Sequence, residues 1–87
     1  MTTIELMQEK LALLQPSLLE IEDESAQHAG HAGAKSGGGH YRLRIASLAF
    51  AQLNTLARHR LVYATLGNLM QNKIHALSIT AYSPEEI

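Results

Sequence analysis

An 87-residue chain with 46% hydrophobic residues has room for one packed domain and is too apolar for disorder along its whole length. Seven Lys and Arg against eight Asp and Glu leave a net charge of −1, which argues against a strong nonspecific hold on nucleic acid or anionic membrane. The chain has five histidines and no cysteine, so disulfides, all-thiolate zinc sites, a cysteine nucleophile and a self-contained iron–sulfur site are excluded.

The start, Met1-Thr2-Thr3-Ile4-Glu5, has no basic region leading into an apolar stretch, and no apolar run could span a bilayer. A cytoplasmic protein without membrane association is expected. Thr2 and Glu5 have capping-box spacing, and Ile4, Met7, Leu11 and Leu14 recur at helical spacing. A first helix over about 3–15, ended by Pro16, is predicted. Leu19 and Ile21 alternate with Glu20 and Glu22 in a strand that Asp23-Glu24-Ser25 ends.

Residues 26–39 are rich in Gly, Ala and His without periodicity, and are expected to form a long flexible loop. A second strand, about 40–47, follows from Tyr41, Leu43 and Ile45 alternating with Arg42 and Arg44. A short turn over 49–53 leads to a longer helix, capped at Asn54 or Thr55 and reaching about Met70. Its apolar face is read as Leu56, His59, Tyr63, Leu66 and Met70, with Val62 and Leu69. Ala57, Arg58 and Thr65 are read as pointing away, His59 is read as a core residue, and Gly67 as a modest local cost. A third strand covers 74–81, with His75 on the face of Leu77 and Ile79, before a single closing turn at Ser83-Pro84-Glu85-Glu86.

The order α-β-β-α-α-β gives an α/β (α+β) domain. The first two strands pair antiparallel, and a right-handed helical crossover sets the third parallel to the second. That topology brings His28, His40 and His75 to one edge of the sheet. Imidazole is a common neutral metal ligand and titrates near neutral pH. His28 and His31 form a His-x-x-His pair, a weak signal without a helix beneath it. Gly33-Ala34-Lys35-Ser36 lacks the glycine spacing of a phosphate loop, and no residues assemble a nucleophile, base and oxyanion site, so no enzyme is expected.

Four segments in order, Asp23-Glu24-Ser25-Ala26-Gln27-His28, Gly39-His40-Tyr41-Arg42-Leu43, Arg58-His59-Arg60-Leu61-Val62-Tyr63 and Ile74-His75-Ala76-Leu77-Ser78-Ile79, resemble the BolA family along nearly the whole chain. The closing Ser83-Pro84-Glu85-Glu86 fits as well. The resemblance implies a single KH-like domain of class II type. It implies an adaptor that pairs with a monothiol glutaredoxin and co-ligates a [2Fe–2S] cluster in iron–sulfur trafficking or iron and redox sensing. The glutaredoxin cysteine and glutathione would supply the thiolates, and His75 the imidazole opening the third strand. His28 stands at the loop position of the family's histidine branch, with His31 and His40 as secondary candidates. No cofactor is expected in the isolated protein, which would be a monomer or weak homodimer. The alternative function implied is a DNA-binding transcriptional regulator, with Arg42, Arg44, Arg58, Arg60 and Lys73 as contacts. The Gly-x-x-Gly clamp of RNA-binding KH domains is missing ahead of the long helix.

Overall fold

Thr2 caps the first helix. Its hydroxyl accepts from the Glu5 N–H at 3.1 Å, and the Glu5 carboxylate accepts from the Thr2 N–H at 2.8 Å. That backbone donor also holds the Glu5 carboxyl below the usual carboxylate range. In the computed structural model, which describes residues 1–25 and 39–87, α1 covers Thr3–Leu11 and tightens into a 3-10 turn at Ala12–Leu14. Gln15 leaves that turn in the left-handed region at φ 50°, and Pro16 cannot extend it.

β1 (Leu18–Asp23) pairs antiparallel with β2 (Gly39–Ala46), and β3 (Ile74–Tyr82) pairs parallel with β2, giving the order β1-β2-β3. Alternation in β2 does what its sequence demands. Tyr41, Leu43 and Ile45 are buried on one face, while Arg42 and Arg44 are exposed on the other. Met7 and Leu11 from α1 join them in the core, with Phe50, Val62, Leu66, Leu69 and Ile74. The helices therefore cover one face of the sheet. Gly39, expected in the loop, is instead the first residue of β2.

Ser47 joins the 3-10 turn at Ala12–Leu14 to a second one. Its buried hydroxyl donates to the Leu14 carbonyl at 2.5 Å and accepts from the Ala49 N–H at 3.0 Å. This places the second turn, Leu48–Phe50, so that Phe50 is fully buried.

The helix expected to reach Met70 is two helices. α2 (Thr55–Leu66), capped by Asn54, ends at Gly67, and α3 (Leu69–Asn72) follows. Gly67 adopts φ 58° and ψ −131°, a conformation costly for any residue with a Cβ, so it acts as a stop rather than a weak point within one helix.

The buried stripe of α2 is also rotated from the expected one. Val62 and Leu66 are buried, but Leu56 and Tyr63 are exposed and His59 is only half-buried. Arg58 and Thr65, read as pointing away, are half-buried. Alanine, leucine, valine and tyrosine lie all round this helix, so periodicity alone left its facing face open. A tertiary contact bears on it: Arg58 reaches across to the end of β3.

Candidate functional site

The start of β3 is irregular. Gly39 pairs with Ile74 and His40 with Ala76, so one step along β2 spans two along β3. This is a β-bulge, and it changes which way the side chains face. Ile74 is buried, His75 and Ala76 are both exposed, and inward packing resumes at Leu77 and continues through Ile79 and Ala81. The expectation that His75 shares a face with Leu77 and Ile79 is therefore corrected: Ile74 takes the inward position and His75 is turned out. The signal lay in the sequence as inward apolar residues three apart, Ile74 and Leu77, where a regular strand needs two.

His75 meets His40. Their ring centroids lie 5.1 Å apart with planes inclined at 48°. His40 sits on the outer face of β2, in phase with Arg42 and Arg44. Its backbone is clasped from the β1 side: its N–H donates to the Ser25 hydroxyl at 3.1 Å, and its carbonyl accepts from the Glu24 N–H at 2.7 Å. Ser25 is in turn held by an N–H donated to Asp23 Oδ1 at 2.9 Å, and Ser25 keeps the Asp23 carboxyl below its ordinary range. Glu24 is mostly buried and bridges to Arg42 at 3.1 Å. Asp23-Glu24-Ser25, read from the residues as a strand end and as part of a family motif, is thus the clasp that seats His40; the Asp-x-Ser spacing of a side-chain turn was the available signal.

Gly39 has a steric duty at the same place. A Cβ there would lie 2.5 Å from the Tyr41 ring, which packs over that backbone. An open depression of about 270 Å³ adjoins it, lined by Glu24, His40, Tyr41, Ala76, Leu77 and Ser78.

The structure thus brings His40 and His75 together at the end of the sheet where strand direction placed them. His28 and His31 lie outside the described residues, as does the predicted flexible loop apart from Gly39. Among the described residues no group of three or more His, Asp or Glu side chains is placed to hold a metal ion. The exposed His75 imidazole could offer a nitrogen ligand, whereas Nε2 of His40 is buried.

The predicted basic contacts do not form a free basic surface. Glu20 stands opposite Arg44 and Glu22 opposite Arg42 across β1 and β2. Arg44 is ion-paired to Glu20, and Arg42 to Glu22 at 3.8 Å as well as to Glu24. Tyr82 and Glu20 together push the Arg44 pKa further up.

Arg58 is committed inside the fold. It donates to the carbonyls of Leu53 at 2.8 Å and Ala81 at 3.0 Å, and pairs with Glu86 at 2.5 Å. Only Arg60 and Lys73 of the five are exposed without an ion pair among the described residues.

The Arg58 contact, with the Ser83 N–H, lowers the Glu86 pKa from 4.5 to about 2. A lowered carboxyl stabilises the fold above its unfolded value and loses that contribution as pH falls through its folded value. Glu86→Gln is therefore expected to melt below the wild type at neutral pH, with the gap narrowing below pH 4.5 and closing near pH 2. Thermal melts across that range check it; a gap that persists at pH 2 would show that the pair is not responsible.

Comparison with known proteins now adds identity. The BolA family model, described as BolA-like protein, matches residues 11–86. The chloroplastic protein BOLA1 of Arabidopsis thaliana is 45% identical over 84 residues, covering 92% of this chain and 52% of that protein. SufE-like protein 1 of the same plant, named for chloroplast and mitochondrion, is 44% identical over 79 residues, 85% of this chain and 21% of that protein. The chain thus spans about half or less of these two relatives. The DNA-binding transcriptional regulator BolA of Escherichia coli is 37% identical over 83 residues, 94% of this chain and 76% of that one. Among solved structures, BolA1 from Arabidopsis thaliana superposes with a TM-score of 0.84 at 38% identity, covering 100% of this chain and 98% of that one. The BolA domain of SufE1 superposes at 0.82 and 45% identity, covering 93% and 91%. With the family model matching residues 11–86 and a solved BolA1 structure superposing along the whole chain, the chain belongs to the BolA-like protein family.

Proposed function

We propose that this chain is a non-enzymatic BolA-like adaptor that pairs with a monothiol glutaredoxin and shares a [2Fe–2S] cluster with it, in iron–sulfur trafficking or iron and redox sensing. One observation carries the reading: the bulge in β3 turns His75 outward beside His40, at the end of the sheet that meets residues 26–38. A cysteine-free chain presenting exposed imidazole has half of a mixed ligand set, and the missing thiolates fit the glutaredoxin cysteine and glutathione. His75 would be the ligand from β3 and His28 the ligand from the segment after β1, with His31 and His40 secondary. Such a cluster, when bound, supplies a redox centre whose potential lies above that of an all-thiolate one. The cytoplasmic setting belongs to the same proposal. No helix among the described residues is long and apolar enough to cross a membrane, while relatives carry chloroplast and mitochondrial names.

Mixing with a glutathione-loaded, cluster-bearing glutaredoxin is expected to change the visible circular dichroism, and His75→Ala to abolish that change. Its melting temperature should stay near that of the wild type, because the ring is exposed. Unchanged spectra would sink the assignment.

The second reading, a DNA-binding transcriptional regulator, draws on relatives from Escherichia coli and Vibrio cholerae that carry that name. The geometry favours it less. Arg42, Arg44 and Arg58 already have acidic partners, and phosphate affinity rests on cations free to make contacts.

A further inference from the structure

A bulge loosens the ladder at the residue it adds. Two residues of β3, His75 and Ala76, stand where β2 supplies only His40, and His75 has no register partner of its own. Its imidazole is also exposed. A side chain on such a backbone has several staggered rotamers open to it, whereas a ligand must be presented in one. Something beside the bulge has to choose.

His40 is the group in place to do so. The two ring centroids are 5.1 Å apart and the planes are tilted by 48°, a separation and angle at which aromatic rings pack favourably. His40 itself is seated. Its N–H donates to the Ser25 hydroxyl, and its carbonyl accepts from the Glu24 N–H. Ser25 is fixed in turn by its own N–H, donated to Asp23 Oδ1. The ring is half-buried and Nε2 is fully buried. To offer that nitrogen to an outside iron, the ring would have to turn out of the protein.

We infer that His40 is a positioning residue: its seated ring limits the rotamers of His75 and aims the exposed imidazole. The inference rests on the proposed function for what His75 meets, and it takes His40 out of the ligand set. Groups that orient a metal-binding histidine are typically worth about 10–100-fold in affinity. The seat also links the strands. Asp23 holds Ser25, Ser25 holds the His40 backbone, and the His40 ring holds His75, so the turn that ends β1 sets the direction of a side chain on β3.

Two variants separate the ring contact from the nitrogen donors. His40→Phe keeps a ring and has no nitrogen; His40→Ala removes the ring. In the isolated protein, NMR side-chain couplings of His75 are expected to report one dominant rotamer in the wild type and in His40→Phe, and averaged values in His40→Ala. Ser25→Ala keeps both rings and removes the acceptor of the His40 N–H, so it should move the couplings in the same direction as His40→Ala. After mixing with cluster-bearing glutaredoxin, His40→Phe should give the wild-type visible circular dichroism, while His40→Ala should release its cluster to a chelator about tenfold faster than the wild type. A folded His40→Phe that behaves like His75→Ala would overturn the inference, because His40 would then be a ligand. Identical His75 couplings in the wild type and His40→Ala would overturn it too, as would equal release rates. Couplings unmoved in Ser25→Ala would overturn the link to β1. If the wild type gives no partner-dependent spectrum, the proposed function falls, and the couplings still decide whether His40 holds His75.

Discussion

A protein lacking Ala76 is expected to fold and yet fail to give the partner-dependent cluster signal. The deletion removes the extra residue of the bulge, so Ile74 still pairs with Gly39 and Leu77 still pairs with Tyr41. Between them His75 takes the place of Ala76 directly opposite His40. Strand alternation is then regular: Ile74 in, His75 out, Leu77 in. The core residues Ile74, Leu77 and Ile79 keep their packing, so thermal unfolding stays cooperative and close to that of the wild type. His75 stays on the outer face but moves to the register position directly opposite His40, so the placement of its ring relative to a partner's thiolates changes. Under the proposed function, visible circular dichroism after mixing with a cluster-bearing glutaredoxin should match that of His75→Ala. A deletion protein that folds and retains the wild-type spectrum would show that the bulge does not set the ligand.

Phe50→Ala is expected to bring the largest loss of stability. Phe50 is fully buried, and it reaches the core from a three-residue 3-10 turn rather than from a long element. Emptying an aromatic site costs about 3–5 kcal/mol. Domains hold only about 5–15 kcal/mol in total. For a domain of this size each kcal/mol moves the midpoint by about 4–8 °C, so the melt should fall on the order of 20 °C. Collapse around the cavity is limited, because Ser47 anchors the turn to the Leu14 carbonyl on one side. Thermal circular dichroism checks the value, with Phe50→Leu as the control that restores most of the volume. A shift of only a few degrees for the alanine variant would mean that the turn re-packs freely and that Phe50 does not pin it.

Much of the architecture was legible before folding because its signals are local. The capping box at Thr2 and Glu5, the alternation in β2 and the cap at Asn54 each act within a few residues. The facing side of α2 was less legible. Its apolar residues surround the helix, and the choice of Val62 and Leu66 over Leu56 and Tyr63 depended on what the sheet and Arg58 left available. Arg58 illustrates the limit for function as well. By composition it is one more cation, and only its contacts with Leu53, Ala81 and Glu86 withdraw it from the set free to meet phosphate.

The histidine site divides the same way. Strand order and direction, readable from the chain, bring His40 and His75 to one end of the sheet, and the absence of cysteine excludes thiolate from what the chain itself can offer. Which way His75 faces was not decided by its place in the alternation of β3. One extra residue opposite His40 reverses that phase, and its position depends on how β3 registers against β2, a contact between strands separated by two helices. Local chemistry chose the elements because capping and alternation are short-range. The tertiary structure decided the presentation of the imidazole, because register is a property of a pair of strands and the spacing of Ile74 and Leu77 only permits the bulge.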